Sequence, residues 1–118
     1  MRLQSIVLIL VVLLAFTATK QAIPIGNWSP INNINDPKVI DVADFAVKEY
    51  NNRRGIPEEK LRLWKVIKGE SQIVANGAYY RLTLSATKVY TSNNYEAVVL
   101  EWSLQHLRNL TSFKLIQA

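Results

Sequence analysis

The fold of this chain is decided by the stretch Val42–Asn51, which reads V-A-D-F-A-V-K-E-Y-N. Apolar residues recur in and just before it at steps of three and four, and charged residues fall between them. The apolar positions are Val39, Val42, Ala43, Ala46, Val47 and Tyr50, and the charged ones are Asp41, Asp44, Lys48 and Glu49. This spacing lays one apolar stripe along an α-helix, which must bury that stripe against another element.

Both ends of this helix are marked by suitable residues. Asp36 favours an N-cap because its carboxylate accepts backbone N–H groups of the first turn, and Pro37 suits the first helical position. Gly55 favours a stop at the other end, and Pro57 opposes continuation. We therefore predict a helix at about 37–52.

The rest of the chain has the alternating pattern of strands. Asn76-Gly77 is a strong signal for a two-residue hairpin turn, and Ser92-Asn93-Asn94 predicts the next turn. Gly69 indicates a bulge or bend, and the residues from Trp102 to Asn109 indicate a loop. The predicted strands are 61–74, 78–92, 95–104 and 111–117. The pattern therefore predicts one helix lying across an antiparallel sheet.

The N-terminal region is typical of a secretory signal peptide. A positive residue precedes the apolar run Ile6–Phe16, and Ala18 and Ala22 are candidate cleavage positions. The run is shorter than the roughly 20 residues that cross a bilayer, which disfavours a membrane anchor. We expect a signal peptide at 1–22, one domain at 23–118, and secretion to the extracellular space or to a compartment of the secretory pathway.

The composition excludes several classes of function. The 118 residues suit one domain, and the absence of cysteine removes disulfides, thiolate catalysis and Cys-ligated zinc. With no cysteine to join it, the single histidine, His106, is not expected to bind metal or to catalyse. The net charge is +5, but lysine and arginine are scattered along the sequence, which disfavours nucleic-acid binding.

Two sequence motifs make Asn27 and Asn109 candidate glycosylation sites. They are Asn27-Trp28-Ser29 and Asn109-Leu110-Thr111, both of the Asn-x-Ser/Thr type. Pro30 directly follows the first motif and makes it a poorer acceptor.

The helix also resembles the signature of the plant cystatins, a pattern of the type L-A-R-F-A-V-x-E-x-N. Asp44 stands where the family usually has a basic residue. Gly26–Ile31 is similar to the family's Gly-Gly-Trp-x-Pro-Ile start, with Asn27 in place of the second glycine. Gln72–Gly77 resembles the Q-x-V-x-G loop. The resemblance covers the whole of the expected mature chain.

A second loop of the family is represented by Trp102. The family commonly has Pro-Trp there, whereas this chain has Glu101 before the tryptophan. The ending Phe113-Lys114 also fits the family.

This resemblance implies an α+β fold with one helix packed across a four- or five-stranded antiparallel sheet. It also implies a reversible, competitive inhibitor of papain-like cysteine proteases, without catalytic residues, cofactor or metal. The glycine arm and two hairpin loops would enter the protease cleft together, and we expect Val74, Ala75 and Trp102 to supply apolar contact area. The protease-binding residues implied are Gly26, Asn27, Gln72, Ile73, Val74, Ala75, Asn76, Gly77, Glu101 and Trp102. No nucleic acid, no membrane after signal removal and no second subunit are expected as partners.

Departures from the family pattern keep another function open. In the first loop, either Asn76 replaces the family's glycine, or one residue is inserted and Gly77 takes the role of that glycine. In the second loop, Glu101 adds a charge beside Trp102. These changes predict weaker inhibition, and the alternative is a non-inhibitory, cystatin-like secreted binding or storage protein. An enzyme is a more distant alternative, since it would need a pocket of ionisable groups inside the sheet. Of the other tryptophans, we expect Trp28 and Trp64 to be packing residues.

Overall fold

The computed structural model describes residues 23–104 and 107–116. The elements in chain order are β1 (Ser29–Pro30), α1 (Pro37–Arg54), a 3-10 turn (Pro57–Glu59), β2 (Arg62–Val74), β3 (Gly77–Lys88), β4 (Thr91–Trp102) and β5 (Leu107–Ile116). The strands form one antiparallel sheet in the order β1-β2-β3-β4-β5, which confirms the predicted helix-on-sheet fold. The predicted signal peptide and His106 lie outside the described residues. Within those residues, no helix has the length and apolarity needed to cross a membrane.

Helix α1 begins where the sequence predicts and ends two residues later. Asp36 Oδ1 accepts a hydrogen bond of 2.9 Å from the backbone N–H of Lys38. Gly55 closes the helix with a left-handed φ of 65°, and its N–H donates to the carbonyl of Asn51. The stop is therefore made by the glycine.

The apolar stripe of α1 forms one side of the core, as predicted. The buried residues from the helix are Val39, Val42, Ala43, Ala46 and Val47. They pack against Leu61, just before β2, and against the strand residues Val66, Leu82, Leu84, Ala86, Ala97, Val99 and Leu110. The half-buried ring of Tyr50 stacks on Phe113 with ring centroids 4.2 Å apart. Burial of this apolar area is the main force that holds the helix on the sheet.

Asn51 fixes the end of α1 to the beginning of the sheet. Its Nδ2 donates to the carbonyl of Leu61 at 2.8 Å, and its Oδ1 accepts from the Leu61 N–H at 2.9 Å. The side chain thus satisfies both backbone polar groups of a residue just before β2.

The turn predicted at Ser92-Asn93-Asn94 is wrong. Those residues lie in β4, and the chain reverses at Val89 and Tyr90. The register is set by the buried face of the sheet, where Leu84 pairs with Tyr95. This pairing draws the polar residues into the strand, although their composition favours a turn.

The bulges of β2 do not occur at the predicted position. The register shifts at Trp64 and Ile67, whereas Gly69 sits regularly in the ladder opposite Leu82. A Cβ at Gly69 would lie 2.8 Å from Leu82 Cδ2 and 3.0 Å from Ile31 Cδ1, so glycine lets Ile31 pack across the strand.

Trp64 is 64% exposed, so its expected packing role is also wrong. Trp28 does pack, against Tyr79 and beneath the guanidinium of Arg81.

Candidate functional site

Three segments that are far apart in sequence meet at one end of the sheet, and together we call them the wedge. They are the arm 23–31, the hairpin tip 72–77 and the second loop 101–104. Pro24 opposes Val74 in the sheet, and Gln72 Nε2 donates to the carbonyl of Gly26 at 2.9 Å. The arm therefore runs along the last residues of β2.

Further backbone hydrogen bonds fix the wedge. The N–H of Ile25 donates to the carbonyl of Ile73, and the N–H of Ala75 donates to the carbonyl of Ile23, both at 2.9 Å. The N–H of Ser103 donates to the carbonyl of Asn76 at 2.9 Å, which ties the two loops together.

The first hairpin turns one residue earlier than predicted. Val74 pairs with Gly77, so the two turn residues are Ala75 and Asn76. Asn76 has a φ of 69°, a left-handed conformation that asparagine tolerates better than most residues. Asn76 thus occupies the turn position that the sequence left open between it and Gly77.

Gly77 has a different role, at the start of β3. A Cβ there would lie 2.0 Å from the carbonyl oxygen of Glu101 and 3.2 Å from Trp102 Cα. Because any side chain would collide with the backbone of β4, glycine permits the close approach of the two strands that carry the loops.

Of the residues expected to supply contact area, Val74 is instead buried, whereas Trp102 is partly buried. Val74 and Leu100 are each only 2% exposed, and Tyr79 and Trp102 pack against them. This cluster lies on the face of the sheet opposite the helix, because side chains alternate along β4 and Val99 points toward α1. Val74 and Trp102 therefore hold the two loops in place from beneath.

The apolar surface of the wedge comes from other side chains. Ile23, Ile25, Ile73 and Leu104 are 73%, 70%, 64% and 84% exposed. Exposed apolar residues that gather at one place are typical of a contact surface. Of these four, only Ile73 was identified from the sequence. The other three could have been recognised because Ile23 and Ile25 flank a proline in an otherwise polar arm, and Leu104 lies two residues after Trp102.

The Glu101 carboxylate does not lie free at the loop tip. Its oxygens accept hydrogen bonds from Lys38 Nζ at 2.6 Å and from Arg108 Nε at 2.7 Å, and its side chain is 15% exposed. Arg108 also contacts Asp41 at 2.8 Å. Burial alone raises the pKa of Glu101, but the hydrogen bonds and charges of Lys38 and Arg108 outweigh it and bring the pKa below its ordinary value. Glu101 thus connects the loop to α1 and β5.

The two candidate glycosylation residues are both exposed, but they lie in different places. Asn27 is in the arm beside Gly26, within the wedge. Asn109 lies on β5, where its Oδ1 is 3.4 Å from a guanidinium nitrogen of Arg53. A glycan at Asn27 would therefore obstruct the wedge, whereas one at Asn109 would lie beside the end of α1.

The sheet has no catalytic pocket among the described residues. Its helix-facing side is filled by the core, and a groove of about 750 Å³ lies outside it between α1 and the start of β2. No group of three or more potential metal ligands occurs in the described part of the chain.

Comparisons with known proteins assign this chain to a family. The family profile described as "Aspartic acid proteinase inhibitor" matches residues 31–116. Cysteine proteinase inhibitor 5 of Arabidopsis thaliana is 41% identical over 111 residues, which is 93% of this chain and 84% of that protein. Cysteine proteinase inhibitor 1 of Actinidia chinensis var. chinensis is 41% identical over 95 residues, covering 80% of this chain and 78% of that protein.

A solved structure supports the same assignment at the level of the fold. The salivary cystatin from the soft tick Ornithodoros moubata matches with a TM-score of 0.65 and 19% identity, over 78% of this chain and 98% of that one. The helix signature, the sheet order and these relatives agree. The chain therefore belongs to the plant cystatins, a family of proteinase inhibitors and not of enzymes.

Proposed function

We propose that this protein is a reversible, competitive inhibitor of papain-like cysteine proteases that occludes the active-site cleft with the wedge. The observation that carries the proposal is the meeting of the Gly26 arm, the Gln72–Gly77 hairpin and the Trp102 loop at one end of the sheet. Relatives named as cysteine proteinase inhibitors support it, at 41% identity.

The wedge suits a cleft because it is both apolar and preorganised. Enzyme clefts are concave and largely apolar, and Ile73 and Leu104 offer exposed apolar area to fill one. The bond from Ser103 to Asn76 and the packed cluster beneath hold the loops before binding, which lowers the entropy lost on association. The inhibitor forms no covalent bond, and it blocks access by shape.

The proposal divides the wedge residues into two roles. Ile73, Leu104 and the arm isoleucines contact the protease, whereas Val74 and Trp102 support them. The Glu101 carboxylate is paired with Lys38 and Arg108 inside the protein, so it does not bring an unpaired charge into the apolar cleft.

Titration of papain with residues 23–118 tests the proposal. The double variant Ile73→Ala/Leu104→Ala is expected to raise the inhibition constant at least about tenfold, since each buried aliphatic side chain contributes roughly 1.5–3 kcal/mol. Leu115→Ala is the matched control, because Leu115 is 61% exposed on β5, outside the wedge. No inhibition by the parent protein, or equal losses in both variants, would contradict the proposal.

A second candidate is inhibition of aspartic proteinases. It is favoured by the matching family description, and that match begins at residue 31 and so omits most of the arm. Parallel titration of pepsin distinguishes the two, because inhibition of pepsin without inhibition of papain would select the second. Inhibition of neither enzyme would favour the non-inhibitory binding or storage role.

We also propose that the protein is secreted as a monomer after removal of residues 1–22. The apolar run and the small residues that follow it support this, together with the two glycosylation motifs. Expression in plant cells, followed by N-terminal sequencing, glycosidase treatment and sedimentation of the product, tests each part. An unprocessed N-terminus in a retained, intracellular product would contradict it.

A further inference from the structure

The cations of this protein fall into two groups in the fold. One group is paired with carboxylates and consists of Lys38, Lys48, Arg53, Arg54, Arg81, Arg108 and Lys114. The other makes no ion pair within residues 23–104 and 107–116 and consists of Lys60, Arg62, Lys65, Lys68 and Lys88. The excess positive charge, which looks scattered in the sequence, is therefore concentrated mainly on one part of the surface.

That part is the first half of β2 and its surroundings, which we call the basic edge. Lys60 precedes the strand, and Arg62, Lys65 and Lys68 follow along it, all exposed. Lys88 lies apart from them: it follows Thr87, the partner of Arg62, so its side chain is on the other face of the sheet, in a groove with Arg54 and Glu59. At about 3.3 Å per residue, the strand from Arg62 to Lys68 extends about 20 Å.

Carboxylates close to the basic edge are mostly engaged elsewhere. Glu59 pairs with Arg54, Glu70 with Arg81, and Asp44 with Lys48. Asp41, which lines one groove with Lys60 and Arg62, contacts Arg108. Among the described residues near Lys60, Glu58 is the acidic group without an ion pair. The basic edge thus keeps a net positive charge that attracts a polyanion.

The outer side of this strand is open but unsuited to pairing with another strand. In the described residues, β1 pairs with β2 only at Glu70 and Ser71, so the stretch from Arg62 to Lys68 has no strand beyond it. Its two bulges, at Trp64 and Ile67, and its lysines are the features that protect a sheet edge from strand addition. An extended peptide is therefore a poor occupant.

Trp64 adds an aromatic surface in the middle of the basic edge. Its side chain is 64% exposed, and the ammonium of Lys65 lies 4.7 Å from the centroid of its ring. An exposed indole offers area to the C–H face of a sugar ring, and the adjacent ammonium can meet a carboxylate on that ring. Single-stranded nucleic acid, in contrast, is bound through successive stacked bases on several aromatics, and Trp64 is the aromatic on this strand.

We propose that the basic edge binds an acidic polysaccharide, a polymer of sugars that carry carboxylates. The arrangement allows this while the wedge is occupied, because Lys60 and Arg62 lie at the end of β2 opposite the Ala75-Asn76 turn. The site would hold the inhibitor on an anionic matrix without blocking its loops. The proposal does not depend on which protease the wedge inhibits.

Binding of residues 23–118 to polygalacturonate, measured by calorimetry at low and high NaCl, tests the proposal. The triple variant Arg62→Gln/Lys65→Gln/Lys68→Gln is expected to weaken binding about tenfold or more, since three unpaired charges are lost. Trp64→Ala is expected to weaken it at unchanged net charge. Binding by the parent should fall as NaCl rises, because salt screens exposed charges.

A matched control separates a site from general attraction. The variant Lys38→Gln/Arg53→Gln/Lys114→Gln removes the same charge from ion-paired positions and should bind within about threefold of the parent. The melting temperature and papain titration of each variant verify folding and keep this result separate from the proposed inhibition.

Three results would overturn the proposal. One is absence of binding by the parent, and another is an equal loss in both triple variants. The third is tighter binding of an oligothymidylate than of polygalacturonate, which would indicate a nucleic-acid surface.

Discussion

Replacement of Glu101 by glutamine is expected to destabilise the protein although it preserves the size of the side chain. The carboxylate accepts charged hydrogen bonds from Lys38 at 2.6 Å and from Arg108 at 2.7 Å in a site where it is 15% exposed. A hydrogen bond to a charged group contributes about 1.5–3 kcal/mol. Arg108 retains Asp41 in the variant, and Lys38 is 47% exposed and can be solvated again. We therefore expect a net loss of about 2 kcal/mol in the free energy of unfolding.

Urea denaturation of residues 23–118 at neutral pH measures this loss. A difference of about 2 kcal/mol corresponds to a midpoint lower by about 1 M urea, and to a melting temperature lower by about 10 °C for a domain of this size. Glu96→Gln is the matched control on the same strand. Its carboxylate makes a single ion pair with Lys114 at 3.6 Å, and that lysine is 67% exposed, so we expect a change within about 0.5 kcal/mol.

The pH dependence gives an independent check on the same reasoning. Because the folded-state pKa of Glu101 lies below its ordinary value of 4.5, its contribution is complete above that pH and is lost as the pH falls through the folded-state pKa. The difference between the parent and the glutamine variant should therefore shrink toward pH 3. An equal loss for Glu101→Gln and Glu96→Gln, or a difference that stays constant from pH 7 to pH 3, would refute the assigned role.

Three further predictions concern positions that the fold fixes closely. Gly77→Ala should lower the melting temperature, by an amount equivalent to about 1–3 kcal/mol, because its Cβ would lie 2.0 Å from the Glu101 carbonyl oxygen. Gly26→Ala should leave the melting temperature unchanged, because a Cβ added there would meet no atom within 4 Å. Equal melting temperatures for the two would contradict the close approach of the strands. Asn51→Ala should cost about 2 kcal/mol in urea denaturation through loss of both bonds to Leu61, and an unchanged midpoint would show that these bonds do not stabilise the fold. Glu101→Pro, although it restores the usual family residue, should denature at lower urea than Glu101→Gln, because it also removes an N–H from an inner strand; a midpoint equal to or above that of the glutamine variant would contradict this.

The helix and its ends were predictable from the sequence because their determinants are local. The stripe from Val39 to Val47 depends on spacing alone, and Asp36 and Gly55 act within one turn of the residues that they cap. The turn between β3 and β4, at Val89 and Tyr90, was not predictable in the same way. Its position depends on pairing across the sheet, which places Ser92, Asn93 and Asn94 in β4.

The site was predictable as a set of segments but not as a set of side-chain roles. The motifs identified the arm and both loops, yet Val74 was expected to make contacts and Ile73 exposes its side chain instead. That distinction depends on Leu100, which packs on Val74 from another strand. The partners of Glu101 likewise come from α1 and β5, so its charge could not be assigned from its neighbours in sequence.

The arm also limits the tendency of the protein to aggregate with other copies of itself. Between Gly69 and Ala75 it satisfies backbone groups on the outer side of β2, through Ile31, Ile25 and Ile23. A nick that released it would uncover a straight, hydrogen-bonding strand end beside the exposed Ile73. The cleaved molecule would tend to aggregate through this strand edge as well as lose part of the wedge. The intact arm therefore keeps the protein soluble, and preparations cleaved by proteases should precipitate at temperatures below their unfolding transition.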